Sequence, residues 1–500
     1  MVLTLHGHDY KYAVEQVLLT LFPTQRPVYA ERGAEAEEPA AEIRLTHGTR
    51  YSTAVTVLTY KGRRYRGVAK AKTPDPTDPI VWNRELQKVI KLSFYRAGTM
   101  ATGQTPPWGA LTGIRPGKRA TTLLEAGATP AQVKRAFVRE YEVGPVQADL
   151  CIQTAGASIK AKAALGPKDI CLYVGIPFCP TRCAYCSFVA IDVARSKPLI
   201  APFLQALTRE IETTAAVVRD LGLNPVSLYI GGGTPTTLST DALGGLLDTL
   251  AANFNLSCLQ EYTVEAGRPD TLDPEKLQRL QTAGVTRISI NPQSMQDTVL
   301  EAIGRGHTAA QVRDAVAQAR TVGFPSLNMD LIAGLPGDTP QGFADTLQQV
   351  LALGPENITV HTLSRKRGAK ISVDDTAAPE ADAVATMLDT AQKALPAAGY
   401  VPYYLYRQKF TAGGHENVGW CRPGTESLYN IAIMEELSTI LSMGGGASTK
   451  LVDPHTGRIP RMYNPKFPLE YIEGIERILA SKEKIRQFYK QEVLQHATDL

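Results

Sequence analysis

The sequence contains little that would send the chain into a membrane or hold it together with disulfide bonds. Its 500 residues include no uninterrupted run of about 18 apolar residues, so a membrane-spanning helix is excluded. The first 21 residues carry no basic run ahead of their apolar residues and no clear small-residue cleavage site, unlike a secretory signal. Seven cysteines are too few for a disulfide framework in a chain of this length. These absences predict a cytoplasmic protein.

The chain also has little excess charge of either sign. It contains 53 Lys and Arg residues and 49 Asp and Glu residues, a net charge of +4, which is too small to be the electrostatic footprint of a nucleic-acid-binding protein. Hydrophobic residues make up 44% and charged residues 20%, which is typical of a folded globular protein and excludes disordered and fibrous classes. We therefore predict no nucleic-acid partner, and any basic binding site must be local.

Changes of composition along the chain predict three domains. Near the N-terminus, β-rich runs flank Lys61-Gly62 and predict a hairpin over residues 51–72, followed by helix-like patterns. The middle of the chain alternates strand and helix patterns, and the pattern becomes less regular after about residue 400. We assign residues 1–165 to an N-terminal α+β extension of unknown role, 166–400 to a barrel, and 401–500 to a C-terminal cap or substrate-covering domain.

The N-terminal extension contains one basic turn, in the segment WGALTGIRPGK and the residue after it. Arg115, Lys118 and Arg119 lie at the end of this turn and could contact an anionic partner. Exposed basic residues are, however, more often part of a solvated surface. The sequence leaves these two interpretations open.

Six short β-rich runs alternate with helical patterns in the middle of the chain. Apolar residues recur at helical spacing between them, as in 203–221 and 343–351. Repeated strand and helix predict an α/β fold with a parallel sheet closed or nearly closed into a barrel, whose functional residues follow the carboxyl ends of the strands. The predicted strands are 170–176, 226–230, 261–265, 286–290, 327–332 and 357–362.

Three of the seven cysteines follow the first predicted strand at close spacing. Cys179, Cys183 and Cys186 form a Cys-x3-Cys-x2-Cys pattern. A structural zinc site requires four ligands, and no second Cys or His pair lies nearby. Three thiolates instead suit a [4Fe-4S] cluster, in which they leave one iron open to a further ligand. The spacing therefore predicts such a cluster, with chemistry at the open iron.

The cysteine pattern, with Tyr185 before its last cysteine, resembles the signature of the radical S-adenosylmethionine enzymes. The six strands are similar to the partial (β/α)6, TIM-like barrel of that family. The resemblance implies that the open iron binds S-adenosylmethionine and that one-electron reduction of the sulfonium yields a 5′-deoxyadenosyl radical. It also implies an electron donor such as a flavodoxin or ferredoxin.

The resemblance extends to residues at the other predicted strand ends. Three glycines in YIGGGTPT let a ligand approach the backbone, a carboxylate can accept hydrogen bonds from ribose hydroxyls, and an arginine can pair with a carboxylate. Taken singly, these residues also fit structural roles, such as buried ion pairs or a turn cap. The resemblance assigns S-adenosylmethionine binding to Tyr173, Tyr185, Gly232, Gly233, Thr234, Glu265, Gln293, Arg305 and Asp330.

The runs PFCPTRCAYCSF, GGGTPT, VTRISINPQSMQD and NMDLIAGLPGDTP look together like the oxygen-independent coproporphyrinogen III oxidases, over about residues 170–365. Runs on either side, including WGALTGIRPGK and YYLYRQKF, resemble the HemZ-type subgroup. The resemblance implies oxidative decarboxylation of two propionates of coproporphyrinogen III to give protoporphyrinogen IX. This tetrapyrrole carries four carboxylates and needs cationic partners. The basic run after the sixth strand would supply them through Arg365, Lys366 and Arg367.

The sequence departs from the better-known oxidases at one position, and two other functions stay open. Gly175 stands where those oxidases commonly have the His of His-Ile-Pro-Phe-Cys, and His361 and His307 are candidates to replace it. One alternative function is haem trafficking on the same scaffold. Such relatives carry a His-Asn-x-x-Tyr-Trp motif, and the segment GGHENVGW matches it poorly. The other alternative, radical modification of RNA, is disfavoured by the small net charge.

Overall fold

The computed structural model describes residues 1–30, 37–186, 191–364, 371, 379–408 and 411–493. The chain divides into two compact units. The first comprises Met1–Ile152 with Arg407–His415, and the second comprises Gln153–Tyr406 with Glu416–Leu500. None of the described helices combines the length and the apolarity needed to cross a membrane.

The first unit is an α+β module built on a five-stranded sheet. The sheet order is β2-β1-β3-β4-β5, in which β1 is parallel to both of its neighbours and β3, β4 and β5 are antiparallel. The predicted hairpin is confirmed, because β4 and β5 pair around Lys61-Gly62 and both turn residues have positive φ. The elements are β1 Val2–His6, α1 Lys11–Leu21, β2 Val28–Tyr29, β3 Ala40–His47, β4 Tyr51–Tyr60, β5 Arg63–Lys72, α2 Pro79–Thr102, α3 Pro116–Glu125, α4 Pro130–Tyr141 and α5 Pro145–Ala163, which continues into the second unit.

Helix α2 is the main packing partner of this sheet. Its N-cap, Asp78, accepts hydrogen bonds from two backbone amides of the first turn, and Pro79 occupies the first helical position. The helix ends at Gly103, which has a left-handed conformation. Its apolar face, which includes Leu86, Ile90 and Phe94, is buried in the core shared with α1 and the sheet.

The second unit has an α/β fold and contains all six predicted barrel strands. Its elements are β6 Asp169–Ile176, β7 Phe178–Cys179, β8 Ile191–Asp192, α6 Val193–Leu221, β9 Asn224–Gly232, α7 Thr240–Asn253, β10 Glu261–Glu265, α8 Pro274–Thr282, β11 Arg287–Ser289, α9 Asp297–Ala302, α10 Ala309–Val322, β12 Ser326–Ala333, α11 Pro340–Leu353, β13 Asn357–Thr362, α12 Ala381–Ala397, β14 Val401–Arg407, β15 Glu416–Cys421, α13 Leu428–Glu435, β16 Ile440–Gly444, β17 Ser448–Lys450, β18 Arg461–Tyr463, α14 Pro468–Glu473, α15 Ile475–Ser481 and α16 Glu483–Phe488.

The described strands of this unit form an eleven-stranded sheet and a short β7-β8 pair. The order of the large sheet is β14-β15-β13-β12-β11-β10-β9-β6-β16-β17-β18. The six predicted strands, from β6 to β13, lie side by side in chain order and are parallel. Helices connect successive strands, as parallel crossovers require. Because the sheet has two ends, the barrel is partial, and the predicted (β/α)6 fold is confirmed.

Residues 401–500, which the sequence predicts to form a cap, contribute strands to both ends of the large sheet. β15 pairs antiparallel with β13, and β16 pairs parallel with β6. The apolar segment 429–441 contains both a helix and a strand, because α13 ends at Glu435 and β16 begins at Ile440. The run Ile440–Gly444 is buried throughout, and periodicity alone does not separate a short buried strand from a helix.

A fully buried carboxylate connects α6 to the end of the chain. Glu210 accepts hydrogen bonds from Tyr471, from Asn464, and from the backbone amide of Gly444 at 2.8 Å. Lys482 Nζ lies 2.6 Å from Glu210 Oε1, and the Lys482 side chain is 3% exposed. These partners satisfy a charge that would otherwise be costly to bury, and they fix the end of β16 beside β6.

Candidate active site

One face of the parallel sheet carries polar residues and glycines at the carboxyl ends of its strands. Strand residues two apart share a face, and paired residues of adjacent strands face the same way. In this register Gly175 of β6 is opposite Gly231 of β9, and Asp330 of β12 is opposite Thr359 of β13. His361 follows Thr359 by two residues, so it lies on the same face as Asp330. The sheet therefore presents its polar edge where parallel α/β folds place their functional residues.

The three cysteines lie in the loop that follows β6. Cys179 ends the short strand β7, and the amide of Cys186 donates a 3.2 Å hydrogen bond to the carbonyl of Cys183. The amide of Ala184 donates to the carbonyl of Ile303 at 2.9 Å, which anchors the loop. The thiols of Cys183 and Cys186 both act electrostatically on that of Cys179. The structure thus brings the three predicted ligands together.

Two buried arginines lie beside Cys183. Arg268 Nη1 is 3.7 Å from Cys183 Sγ, and Arg305 interacts electrostatically with this thiol. Burial raises the pKa of the Cys179 thiol to about 11, whereas the Thr234 hydroxyl, 3.5 Å away, and Arg268 act in the opposite direction. Metal binding displaces the thiol proton, and donors to the sulfurs stabilise the resulting thiolates.

This set of side chains fits a [4Fe-4S] cluster held by three cysteines. The loop supplies three thiols and has cationic hydrogen-bond donors beside them, as the negative charge of an iron-sulfur cluster requires. In the described ranges, no three His, Cys, Asp or Glu side chains are arranged to hold a single metal ion. The fit to the cluster rests on the three thiols of the loop and on the cationic groups beside them.

The glycine loop after β9 lies directly against the strand that precedes the cysteines. The amides of Gly233 and Thr234 donate 2.7 Å hydrogen bonds to the carbonyls of Ile176 and Phe178, respectively. A Cβ at Gly233 would stand 2.5 Å from the carbonyl oxygen of Phe178, and Gly232 has a φ of 105°. Only glycine fits both positions, because any side chain would clash or be strained there.

Glu265, at the end of β10, is bound by two neighbours. Its Oε1 accepts a 2.5 Å hydrogen bond from the Tyr229 hydroxyl, and the backbone of Gly232 donates another bond to the carboxylate. Burial raises the pKa of Glu265 to about 7, and the negative charge of Asp330 adds to this, although the two hydrogen bonds oppose it. Near neutral pH this carboxyl can therefore both donate and accept a proton.

Three tyrosines stack beside Glu265, and the sequence prediction includes only one of them. Tyr173 stacks with Tyr229 and with Tyr429, each at 6.1 Å between ring centroids, and the last two stack on each other at 4.4 Å. Tyr229 lies two residues before the glycine loop, on the same strand, and this position could have indicated it. Tyr429 comes from α13, and no spacing in the sequence connects it to the barrel.

Gln293 follows β11 and combines two unusual features. Its φ is 67°, a left-handed backbone conformation that residues other than glycine and asparagine rarely adopt. Its side-chain oxygen Oε1 is buried and has no hydrogen-bond partner among the described residues. The backbone is fixed by a 2.9 Å bond from the Gln293 amide to the Asp330 carbonyl. A strained residue that presents an unpaired acceptor is typical of a ligand-binding position.

Arg305 and Asp330 both bond to the segment that ends in Gln293, since Arg305 donates to the carbonyl of Asn291 and the Asp330 carbonyl accepts from the Gln293 amide. The Arg305 guanidinium donates to the backbone carbonyls of Gly267 and Asn291, and its Nε is buried without a hydrogen-bond partner in the described part of the chain. Burial alone would raise the pKa of Asp330, but its hydrogen bonds and the neighbouring His361, 3.8 Å away, hold it below the usual value.

The two candidate histidines have different surroundings. His361 lies at the polar edge of the sheet, where Nδ1 is 3.3 Å from the Tyr406 hydroxyl. His307 is buried 3.9 Å from Asp270, and burial together with Arg305 lowers its pKa to about 4, so it is neutral at physiological pH. Only His361 is placed among the residues at the strand ends.

Among the other predicted residues, Tyr185 packs against the apolar cluster that includes Ile303, and it interacts electrostatically with Arg305. Arg268, which the prediction omits, follows Glu265 by three residues in the run EAGRPD, so its place after a strand end was a usable signal. The predicted substrate-binding residues Arg365, Lys366 and Arg367 lie outside the described residues.

Comparison with known proteins agrees with this geometry. Residues 173–350 match the model of the radical SAM superfamily. The chain is 36% identical to the "Oxygen-independent coproporphyrinogen-III oxidase-like protein HemZ" of Bacillus subtilis over 430 residues. These aligned residues cover 85% of this chain and 86% of that protein. The chain belongs to the radical SAM superfamily. Within it, the chain is a HemZ-type, coproporphyrinogen-oxidase-like member.

Other radical SAM relatives carry two different functional names. The "Heme chaperone HemW" of Haemophilus influenzae is 30% identical over 306 residues, which are 61% of this chain and 76% of that protein. The solved structure titled "Coproporphyrinogen III oxidase (HemN) from Escherichia coli is a Radical SAM enzyme" is 25% identical, with a TM-score of 0.52, and covers 66% of this chain and 72% of that one. The fold and the cofactors of the radical SAM superfamily, a [4Fe-4S] cluster and S-adenosylmethionine, are therefore those of this protein.

Proposed function

We propose that the protein catalyses the oxygen-independent oxidative decarboxylation of two propionates of coproporphyrinogen III to give protoporphyrinogen IX. The observation that carries this proposal is the similarity to the coproporphyrinogen-III oxidase-like protein HemZ across 86% of that protein's length. It is supported by the convergence of the cysteine loop, the glycine loop and Gln293 at one edge of the sheet.

In this proposal Cys179, Cys183 and Cys186 hold the cluster. When bound, the cluster and S-adenosylmethionine supply a one-electron cleavage that generates a hydrogen-abstracting radical. Arg268 would donate a hydrogen bond to the Cys183 sulfur and the positive charge of Arg305 would act on it electrostatically, which would stabilise the thiolate and adjust the reduction potential. A flavodoxin or ferredoxin would supply the electron.

The residues around the cysteines would bind S-adenosylmethionine. The unpaired Gln293 Oε1 would accept a hydrogen bond from the cofactor, and the Glu265 carboxyl would bind its ribose hydroxyls. The backbone of the glycine loop lies next to Cys179 and would contact the methionine moiety. Tyr173, Tyr185, Arg305 and Asp330 complete the predicted binding set.

The tetrapyrrole would bind at the carboxyl ends of the parallel strands, beyond the last residue of β13. Arg365, Lys366 and Arg367 follow this strand in the sequence and would pair with the substrate carboxylates. His361, hydrogen-bonded to Tyr406 and close to Asp330, is placed to exchange a proton with the substrate. We propose that His361 takes the role of the histidine that the better-known oxidases have at the position of Gly175.

A second function, haem trafficking, is favoured by one observation, the 30% identity to the haem chaperone over 76% of that protein. Both functions use the same cluster, so cluster content alone does not separate them. The conversion of coproporphyrinogen III does, because only the decarboxylase changes the mass of the tetrapyrrole.

The test is an anaerobic assay of the reconstituted full chain with reductant, S-adenosylmethionine and coproporphyrinogen III, followed by mass spectrometry. We expect products that have lost one and then two formic-acid equivalents, together with 5′-deoxyadenosine. Cys183→Ser should remove the cluster absorbance and both products, whereas Cys258→Ser, at an exposed free cysteine, should retain them. Cleavage of S-adenosylmethionine with unchanged porphyrinogen would refute the decarboxylase and make haem binding the function to test.

A further inference from the structure

The first unit contains a cavity of about 160 Å³ that the proposed function does not use. It lies between α2, the loop of the WGALTGIRPGK segment, α3 and α4. A water molecule occupies about 30 Å³ in the liquid, so the cavity has room for a small polyatomic ligand. Its polar lining consists of Arg84, Lys88, Lys91, Thr112, Arg119 and Tyr141.

The cations of this lining outnumber the carboxylates that face them. Lys88 pairs with Glu85 at 2.5 Å and with Glu140 at 3.2 Å, and Arg84 Nε lies 3.4 Å from Glu85. Lys91 and Arg119 form no ion pair with the described residues. Arg119 still interacts electrostatically with Glu85, so the four cations of the lining share the carboxylates of Glu85 and Glu140 and retain an excess of two positive charges.

Both Lys91 and Arg119 are partly withdrawn from water. The guanidinium of Arg119 stacks on the Tyr141 ring at 4.6 Å, and its Nε is buried without a hydrogen-bond partner among the described residues. Burial lowers the pKa of the Lys91 amine. A buried donor without a partner destabilises a fold, so a ligand that accepts a hydrogen bond here would remove that cost.

The loop that closes the cavity is held in place from within the same unit. Arg407 Nη1 donates a 2.5 Å hydrogen bond to the carbonyl of Leu111, and the Arg407 amide donates to the carbonyl of Ile114 at 2.8 Å. The Arg407 guanidinium also lies 5.2 Å from the ring of Trp108, which is 1% exposed. The lining is thus preformed, as ligand sites usually are.

We propose that this cavity binds a phosphate group. A phosphate dianion matches the excess of two positive charges, and its oxygens can accept both from the fork of Arg119 and from the Lys91 ammonium. The stacked Tyr141 ring keeps the guanidinium oriented for this contact. The basic turn of the N-terminal segment then has a binding role through Arg119, one of the two interpretations that the sequence leaves open.

Isothermal titration of the full chain with inorganic phosphate and with pyrophosphate tests the proposal. We expect saturable binding that weakens as ionic strength rises. Lys91→Gln and Arg119→Gln should each lower the affinity at least about tenfold, since each removes a charged hydrogen-bond donor. Lys72→Gln, at an exposed lysine of β5 away from the cavity lining, is the charge-matched control and should change it less than about twofold.

Several results would overturn the proposal. These are the absence of phosphate and pyrophosphate binding, equal loss of affinity in the Lys72 control, and unchanged affinity in the Lys91→Gln variant. Binding of citrate without binding of phosphate would also overturn it and would assign the cavity to carboxylates. If Arg119→Gln fails to fold, the partly exposed Lys91 position decides the test on its own.

Discussion

Replacing Gln293 with glycine is expected to stabilise the apoprotein while weakening the binding of S-adenosylmethionine. The left-handed conformation of Gln293, with a φ of 67°, costs about 1–2 kcal/mol for a residue with a Cβ, and glycine removes this cost. The buried, unpaired Oε1 atom adds about 1–3 kcal/mol of desolvation that the substitution also removes.

Two effects act against this gain. Glycine increases the conformational entropy of the unfolded chain, which lowers stability by about 0.5–1 kcal/mol. Gln293 is 7% exposed, and the loss of its two buried methylenes removes about 0.8 kcal/mol each. The balance is a net increase of about 1 kcal/mol in the free energy of unfolding.

Urea denaturation of the apoprotein under reducing conditions measures the first half of this prediction, and calorimetry of the reconstituted protein with S-adenosylmethionine measures the second. Gln293→Asn is the matched variant, because asparagine tolerates the left-handed conformation and keeps a shorter amide. It should be stabilised as well, with a smaller loss of affinity than the glycine variant. A glycine variant that is less stable by more than about 1 kcal/mol, or that binds the cofactor as the parent does, would refute the reasoning.

Three further changes test other features. Gly175→Ala places a Cβ 2.6 Å from a backbone carbonyl oxygen and should lower stability by about 1–3 kcal/mol, whereas Gly245→Ala, in open space on α7, should raise it by about 0.5–1 kcal/mol; thermal unfolding compares them. Lys482→Met leaves buried Glu210 without its charge partner and should lower the free energy of unfolding, measured in urea, by about 3–5 kcal/mol. The double variant with Glu210→Gln should recover part of this loss. A loss below about 1 kcal/mol in the single variant would contradict the account. The folded pKa of Glu265, about 7, is above its unfolded value of 4.5, so stability falls as pH rises between these values, and Glu265→Gln should flatten that part of the stability profile.

The sequence predicts the barrel strands well because their apolar runs are short, β-branched and separated by long helical patterns. The bounds of β10 and β13 agree with the prediction residue for residue. The placement of β16 could not be predicted, since a buried run of five residues has no periodicity that distinguishes strand from helix. Its pairing with β6 depends on contacts between residues far apart in the chain, which local pattern does not record.

The candidate site was predictable where one residue type has few roles. Three closely spaced cysteines indicate a metal centre, and the strand ends indicate where its neighbours lie. Tyr429 and Arg268 were not predicted, because a tyrosine or an arginine has many structural uses and only the folded backbone shows that these two face the site. The structure also shows why position 175 has no histidine. The carbonyl oxygen of Gly445 occupies the space that a side chain at Gly175 would need.

The pairing of β6 with β16 has a consequence for how the protein matures. β16 begins roughly 260 residues after β6 ends, so the strand that leads into the cysteine loop acquires its second neighbour only when most of the chain has left the ribosome. If iron binds during synthesis, it binds a cysteine loop whose preceding strand, β6, is not yet paired with β16. The cysteine loop therefore gains its full structural support only late in synthesis, and we expect a nascent chain stalled before residue 440 to retain iron less well than the complete chain.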